Sequence, residues 1–269
     1  MYEVDGDVAV PTELARGPWS PYAQHGGAPS ALLAGVLEEF DLGTATFPAR
    51  YTLELMRPVP LGPLRIERTT IRPGKKVQLV QGSLFADDVE VVRATLLRLR
   101  EQPLEFDSEP AAGPFEPMPP PGPAQRLAGN WTLGTGFWQA VEVSRVGPGD
   151  MATPGPADMW IRLVVPIVAG EEPTPFQRVA AASDFGNGVA AAFDRGRYSC
   201  INPDLTVTLH RLPATEWVGL DSATYPERTG FGVAESVLND ERGRIGRAVQ
   251  TVLVEEISGA SGLSRDPLG

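Results

Sequence analysis

The chain has 269 residues, of which 42% are hydrophobic and 21% are charged, and its formal net charge is −11. This composition is typical of a folded globular protein, and the length is sufficient for two domains. The negative charge disfavours nucleic acid as a partner, no apolar stretch is long enough for a membrane-spanning helix, and the single cysteine, Cys200, excludes an intrachain disulfide.

The N-terminal residues MYEVDGDVAVPTE are acidic and lack the basic region and apolar core of a secretory signal, so we expect a cytoplasmic protein. His25 and His210 are the only histidines. Together with Cys200 they show no CxxC or HxxxH spacing, so the spacing indicates no metal site, although carboxylates could also bind a metal. We expect neither a metal nor a cofactor.

The first half of the chain predicts a helix followed by an antiparallel meander. The segment 29–40 begins with Pro29, which suits a first helical turn, and repeats apolar residues at the spacing of one buried face. Alternation of apolar and polar residues then indicates strands over 51–101, with turns at Gly74 and at 86–88.

The stretch 101–130 is rich in proline and lacks periodicity, which is typical of a linker. It divides the chain into an N-terminal domain, 1–100, and a C-terminal domain, 131–269.

The second half repeats the order of the first. Strands are predicted at 136–146 and 159–167, a helix at 175–185 that Gly186 closes, and a meander over 205–256. We therefore expect an α+β fold of two curved antiparallel sheets that each wrap a central helix.

The two meanders share local features as well as length. In each, an alternating strand ends at an arginine, Arg57 or Arg211, before a turn that contains proline. In each, the last strand carries an Arg-Ala pair, at 93–94 and at 247–248. Duplication of one unit explains both similarities.

Four short segments in order resemble a known family. They are AQHGGAPSALLAGVLE at 23–38, ASDF at 182–185, NPDLTVTLHRLP at 202–213 and RAVQTVLVE at 247–255. Their order and spacing resemble the double-hotdog acyl-CoA thioesterases of the bacterial thioesterase II type, over about residues 20–255. The resemblance implies two hotdog domains in one chain, with the main catalytic residues in the second, and hydrolysis of an acyl-CoA to a free acid and coenzyme A.

In that family an Asp, a Thr and a Gln hold the attacking water. Asp184 and Gln250 match the Asp and Gln positions. The Thr position falls on Asn202, a departure from the family, although an amide can also donate and accept hydrogen bonds. Thr206, further along the same strand, is the alternative.

The residues themselves leave structural and functional interpretations open. Asp184 is predicted at a helix C-terminus, where the helix dipole disfavours a carboxylate, so it either contacts a loop or acts as a general base. Gln250 lies on a face of small apolar residues and needs partners if it is buried. Asn202 and Thr206 could equally belong to a solvent-facing strand surface.

The sequence His25-Gly26-Gly27 precedes the first helix. Glycines there let a ligand approach the backbone N–H groups of a helix N-terminus, so we predict a substrate-binding role, with a simple turn and cap as the alternative. The first half carries Glu39 and Leu96 where the second carries Asp184 and Gln250, which predicts one active centre per chain.

Several aromatic residues of the second half either pack its core or line an acyl tunnel. They are Trp131, Phe137, Trp138 and Trp160.

Three alternatives to hydrolysis remain. A hotdog enoyl-CoA hydratase needs an Asp-His pair near the helix, and the contexts of His25 and His210 do not match that signature. A non-catalytic acyl-CoA or lipid binder is favoured by Asn202. A purely structural role would use the apolar sheet faces for assembly, and the resemblance in any case implies a homo-oligomer.

Overall fold

The computed structural model describes residues 1–40, 43, 45–108, 111, 117–126, 135–147, 153–193 and 197–257. The first half forms one α-helix and six strands: β1 (Tyr2–Asp5), β2 (Val8–Pro11), α1 (Gly27–Glu38), β3 (Thr46–Leu55), β4 (Leu64–Arg72), β5 (Val77–Ala86) and β6 (Val89–Arg100). The rest forms β7 (Gln125–Arg126), β8 (Val141–Val146), β9 (Ala157–Leu163), α2 (Pro175–Ser183), α3 (Gly186–Val189), β10 (Tyr198–Ile201), β11 (Asp204–Leu209), β12 (Trp217–Pro226), β13 (Phe231–Asp240) and β14 (Gly243–Glu256).

All of these strands pair antiparallel in one continuous sheet. Across the described residues the order is β1-β2-β4-β5-β6-β3-β11-β14-β13-β12-β9-β8-β7, and β10 also pairs with β14. The sequence predicted two sheets, whereas in the structure β3 of the first half pairs with β11 of the second and joins them.

The strand order shows the duplication directly. Outward from the β3–β11 seam, the first half runs β3-β6-β5-β4-β2-β1 and the second half runs β11-β14-β13-β12-β9-β8. The two halves thus have the same strand order once β7 and β10 are set aside, with β2 corresponding to β9 and β1 to β8. At the seam Thr52 pairs with Thr206, its own counterpart, as at a twofold axis. The sequence prediction missed β1 and β2 because each has only four residues, too few to show a period.

The two long helices pack against each other in opposite directions. The C-terminus of α2 meets the N-terminus of α1, where a Cβ on Gly26 would lie 2.9 Å from the Asp184 carboxylate oxygens. At the other end Thr174 Oγ1 donates to Glu38 Oε2 at 2.5 Å. Small residues permit this approach, and the Ser30 hydroxyl donates to the Ala180 carbonyl oxygen across the contact at 3.1 Å.

Local signals explain where α2 begins and ends. Thr174 and Gln177 form a capping box around Pro175 at the first helical position. The helix ends at Ser183, with Asp184 as its C-cap, rather than at residue 185 as predicted. The chain then enters the single turn of α3, which the sequence did not predict.

Part of the predicted linker packs on the second half. The indole N–H of Trp160 in β9 donates to the carbonyl oxygen of Pro119 at 2.8 Å, and Met118 lies over Gly219 of the neighbouring β12. Residues 101–108 are exposed, and residues 109–110, 112–116 and 127–130 lie outside the described part of the chain. None of the helices in the described residues has the length and apolarity that crossing a membrane requires.

Candidate functional site

Asp184 lies where α2 meets α1, with 4% of its side chain exposed. Its Oδ1 accepts hydrogen bonds from Asn202 Nδ2 at 2.8 Å and from Gln250 Nε2 at 3.4 Å. Its Oδ2 lies 3.0 Å from His25 Nδ1. The position is unfavourable for α2 but favourable for α1, because the carboxylate also faces the N-terminus of that helix. The dipole of α1 therefore resolves the conflict that the sequence suggested.

The contacts of the carboxylate define the tautomer of His25. Nδ1 lies 3.0 Å from Asp184 Oδ2 and 3.1 Å from the backbone nitrogen of Gly27. An ionised carboxylate only accepts, so the shorter contact requires the proton on Nδ1, which then donates to Asp184. The amide of Gly27 is left to donate to the same carboxylate.

These donors control the charge of Asp184. Burial by itself raises the pKa of the carboxyl group, but the hydrogen bonds from His25, Asn202 and the Gly27 amide lower it, and the net pKa is below the usual 3.8. The site therefore holds an ionised carboxylate in a sheltered position at neutral pH.

Gln250 is almost completely buried, with 1% of its surface exposed. Its Oε1 accepts from the backbone N–H of Asn187 in α3 at 3.0 Å, while its Nε2 faces both the carbonyl oxygen and the carboxylate of Asp184. The buried amide thus has the partners it needs, and it fixes α3 relative to Asp184. Gly186 permits this contact, since a Cβ there would lie 3.0 Å from Gln250 Oε1.

Aromatic rings hold His25 in place. Its imidazole stacks on Phe137, with ring centroids 4.5 Å apart, and lies 4.8 Å from Phe185 on a tilted plane. The loop that carries His25 is fixed by the preceding residue, because Gln24 accepts from the Tyr2 hydroxyl and donates to the Pro60 carbonyl oxygen at 2.7 Å.

Gly26 brings the backbone of α1 against the carboxylate. A Cβ at Gly26 would lie 2.9 Å from both oxygens of Asp184, and one at Gly27 would lie 2.8 Å from the Ala181 carbonyl oxygen. The backbone N–H of Gly26 forms no hydrogen bond with any described residue. The site thus presents, at the positive end of a helix, a donor that no described residue uses.

A pocket of about 160 Å³ opens beside these groups. Its lining combines the polar cluster with apolar and aromatic side chains: Pro18, Trp19, Gln24, His25, Gly26, Leu55, Trp138, Asp184, Phe185, Asn187, Gly188, Cys200, Ile201 and Asn202.

The structure brings together nearly all of the residues singled out in the sequence. Asp184, Asn202, Gln250 and the segment 25–27 converge at one junction. Thr206 does not join them: it lies on the face of β11 opposite to the buried side chains, and it makes no hydrogen bond to Asp184 among the described residues. Asn202 directly follows the end of β10 at Ile201, and there its side chain reaches Asp184, the C-cap of α2.

The sequence did not indicate Asn187, Gly188 or Ile201 as neighbours of the site, because α3 and β10 are too short to be recognised. The aromatic residues divide between the two roles considered. Trp138 lines the pocket, Phe137 supports His25, and Trp160 lies under Pro119. Trp131 lies outside the described residues.

The site has no arrangement typical of a metal centre. Among the described residues no three His, Cys, Asp or Glu side chains come together in a way that could hold a metal ion. The polar groups of the site are an ionised carboxylate, the side chain of His25, two amides and a backbone N–H.

Solved structures of the same architecture define the class of fold. A hot dog fold protein from Alicyclobacillus acidocaldarius has a TM-score of 0.71 at 18% identity, over 95% of this chain and 96% of that one. A proposed thioesterase II from Thermobifida fusca YX has a TM-score of 0.70 at 21% identity, over 94% of each chain. The acyl-CoA thioesterase II TesB2 of Mycobacterium marinum has a TM-score of 0.61 at 14% identity, over 96% and 95%. The fold is thus that of the hotdog proteins.

The sequence itself gives the family. Residues 15–99 match the model of the acyl-CoA thioesterase N-terminal domain, and residues 110–254 match that of the acyl-CoA thioesterase C-terminal domain. The chain belongs to the acyl-CoA thioesterase family, as its short motifs indicated. No curated protein matches it in sequence.

Proposed function

We propose that the protein is an acyl-CoA thioesterase that cleaves its substrate with a water molecule held at Asp184. One observation carries the proposal: an ionised, buried carboxylate shares a pocket with the Asn202 amide and with Gly26, whose N–H no described residue uses. The buried amide of Gln250 supports the carboxylate from outside the pocket.

Each group has a part in the proposed reaction. Asp184 orients the water and accepts its proton as the oxygen attacks the thioester carbonyl carbon. The N–H of Gly26, at the N-terminus of α1, donates to the oxyanion that forms. The C–S bond then breaks, the proton passes to the leaving thiolate, and a carboxylic acid and coenzyme A are released.

Asn202 can replace the family threonine in this scheme. Its Nδ2 donates to Asp184 Oδ1 and leaves its own Oδ1 to accept a hydrogen bond from the water. Gln250 Nε2 lies 3.4 Å from Asp184 Oδ1 and 3.3 Å from its carbonyl oxygen, so in this scheme the buried amide holds Asp184 in place rather than the water itself. Thr206 has no part in the proposed mechanism.

The direct test is release of free thiol from a panel of acyl-CoAs by the wild type and by Asp184→Asn. We expect a decrease in kcat of about 100-fold or more, because a general base is lost while the shape is kept. Glu39→Gln is the matched control, since Glu39 is the C-cap of α1 as Asp184 is of α2. Equal turnover by wild type and Asp184→Asn would refute the assignment. Binding without turnover by the wild type would favour the non-catalytic alternative.

Further parts of the proposal concern the whole chain. We propose that residues 1–100 and 131–269 are the two hotdog units, each sheet half curving around its own helix, with 101–130 as the linker. The contacts of α1 with β3, β5 and β6, and those of α2 with β9, β11 and β12, support this division. A cytoplasmic location and a homo-oligomer remain predictions, which cell fractionation and sedimentation would test.

A further inference from the structure

The pocket beside Asp184 is small for a thioester binding site. Its volume of about 160 Å³ compares with roughly 150 Å³ for a cavity that accommodates one benzene molecule, and with roughly 300–1,000 Å³ for most ligand pockets. A group of about six carbon atoms therefore fills it.

One wall of the pocket is formed by α3 and β10, and this wall is fixed. The backbone N–H of Asn187 donates to Gln250, and its side-chain amide donates to the carbonyl oxygen of Cys200 at 3.2 Å. Because these bonds tie α3 to the catalytic amide and to β10, widening the pocket on this side would disturb Gln250.

Gly188 lies in this wall, and neither its backbone conformation nor the packing of the described residues around it requires a glycine. Its φ is not in the positive range, and no atom of the described residues lies within 4 Å of the position that a Cβ would take. Gly186 in the same turn differs, since a Cβ there would lie 2.8 Å from Ser236 Oγ. Glycine costs about 1 kcal/mol relative to alanine within a helix, so its presence at 188 needs another explanation.

We propose that Gly188 determines the size of the acyl group and that the pocket takes short acyl groups of about six carbons, straight or aromatic. This proposal rests on the proposed thioesterase function. A side chain at 188 enters space that the acyl group would occupy, and the aromatic walls at Trp19, Trp138 and Phe185 suit an apolar group of this size.

The test compares acetyl-, hexanoyl-, benzoyl-, dodecanoyl- and palmitoyl-CoA as substrates of the wild type, Gly188→Ala and Gly188→Val. We expect kcat/KM of the wild type to be at least tenfold higher for hexanoyl- or benzoyl-CoA than for the long chains. In Gly188→Val, kcat/KM for hexanoyl- and benzoyl-CoA should fall about tenfold or more, mainly through KM, while acetyl-CoA is little affected. Gly188→Ala should give a smaller change in the same order.

Gly62→Ala is the control, since Gly62 has open space at its Cβ position and does not line the pocket. A preference of the wild type for long chains, or an equal loss for all substrates in Gly188→Val and Gly188→Ala, would overturn the proposal.

Binding separates this inference from the proposed function. Uncleavable S-alkyl coenzyme A thioethers of the same lengths are titrated by calorimetry. If no thioester is hydrolysed but affinity is highest for the short thioethers and falls in Gly188→Val, the size inference stands and hydrolysis does not. If none of the thioethers binds and no thioester is hydrolysed, both are wrong.

Discussion

His25 links the first half of the chain to the carboxylate in the second. Its Nδ1 proton is directed at Asp184 Oδ2, and its ring packs against both Phe137 and Phe185. In the proposed mechanism it acts as a positioning residue, because its hydrogen bond lowers the pKa of Asp184.

His25→Phe should therefore change the pH dependence of the reaction. Phenylalanine keeps the aromatic stack but removes the donor, so the pKa of Asp184 should rise towards or above its usual 3.8. In the wild type, kcat/KM should fall only at a pH below 3.8, because the pKa of Asp184 is lowered. In the variant, the pH at which kcat/KM falls should be higher. His210→Phe, at an exposed position, is the control. An unchanged acid limb in His25→Phe would show that the histidine does not set the charge of Asp184.

Gly26 should tolerate no side chain. In Gly26→Ala the new Cβ would lie 2.9 Å from both carboxylate oxygens, so Asp184 or the start of α1 must shift. In the proposed mechanism a misplacement of the carboxylate by about 1 Å costs about 100-fold in kcat/KM, so we expect a loss that approaches this size. Steady-state kinetics alongside circular dichroism would test this, and near-normal activity in Gly26→Ala would show that the carboxylate adapts.

At the scale of elements, an ion pair secures the β13–β14 hairpin. Asp240, with 2% of its surface exposed, accepts from both terminal nitrogens of Arg211 at 2.6 Å. It also accepts from the backbone N–H groups of Ala214 and Arg242 at 2.9 Å. The carboxylate thus fixes both the hairpin turn and the loop after β11.

Replacement of Asp240 should lower stability in a pH-dependent way. Burial raises the pKa of Asp240, but the bonds from Arg211 and the two amides lower it below 3.8 overall. Its contribution is present above the usual pKa of an aspartate and is lost as the pH falls through the lowered value. Asp240→Asn should lower the free energy of unfolding by about 2–3 kcal/mol at neutral pH, since Arg211 is partly exposed.

Urea denaturation would measure this effect at pH 7 and again in acid. The difference between wild type and Asp240→Asn should shrink on acidification. Glu241→Gln in the same turn should match the wild type, because Glu241 is exposed. A constant difference at all pH values would exclude the ionised carboxylate as its cause.

At the scale of the molecule, the twofold arrangement offers two junctions between helix ends, yet the polar cluster occupies one. At the second junction Glu38 binds the Thr174 hydroxyl, Glu39 is exposed, and Leu96 stands where the other half has Gln250. Calorimetric titration with a short S-alkyl coenzyme A thioether should therefore give one site per chain. A stoichiometry of two would show that the second junction also binds.

Sequence patterns predicted α1, α2, the meanders and the duplication, since these depend on local periodicity, whereas the single turn of α3 was too short to predict. The resemblance located Asp184, Asn202 and Gln250, which the structure brings together. Pairing between distant strands has no local signal, so the β3–β11 seam could not be foreseen. The same holds for the contact of His25 with Asp184, which depends on how the helices pack. Thr206 was considered because it shares a strand face with Asn202, but β11 begins only at residue 204.

The antiparallel helix pair has a consequence for how the protein could diverge. In a symmetric dimer of single hotdog subunits, every substitution appears at both helix junctions at once. Covalent fusion of two copies removes that obligation. Under the proposed function, a leucine at 96 removes the catalytic amide from one junction and leaves Gln250 at the other untouched. The junction without the polar cluster can then evolve for the stability of the two helix ends, which its Glu38–Thr174 hydrogen bond joins. The junction at Asp184 can retain its polar cluster.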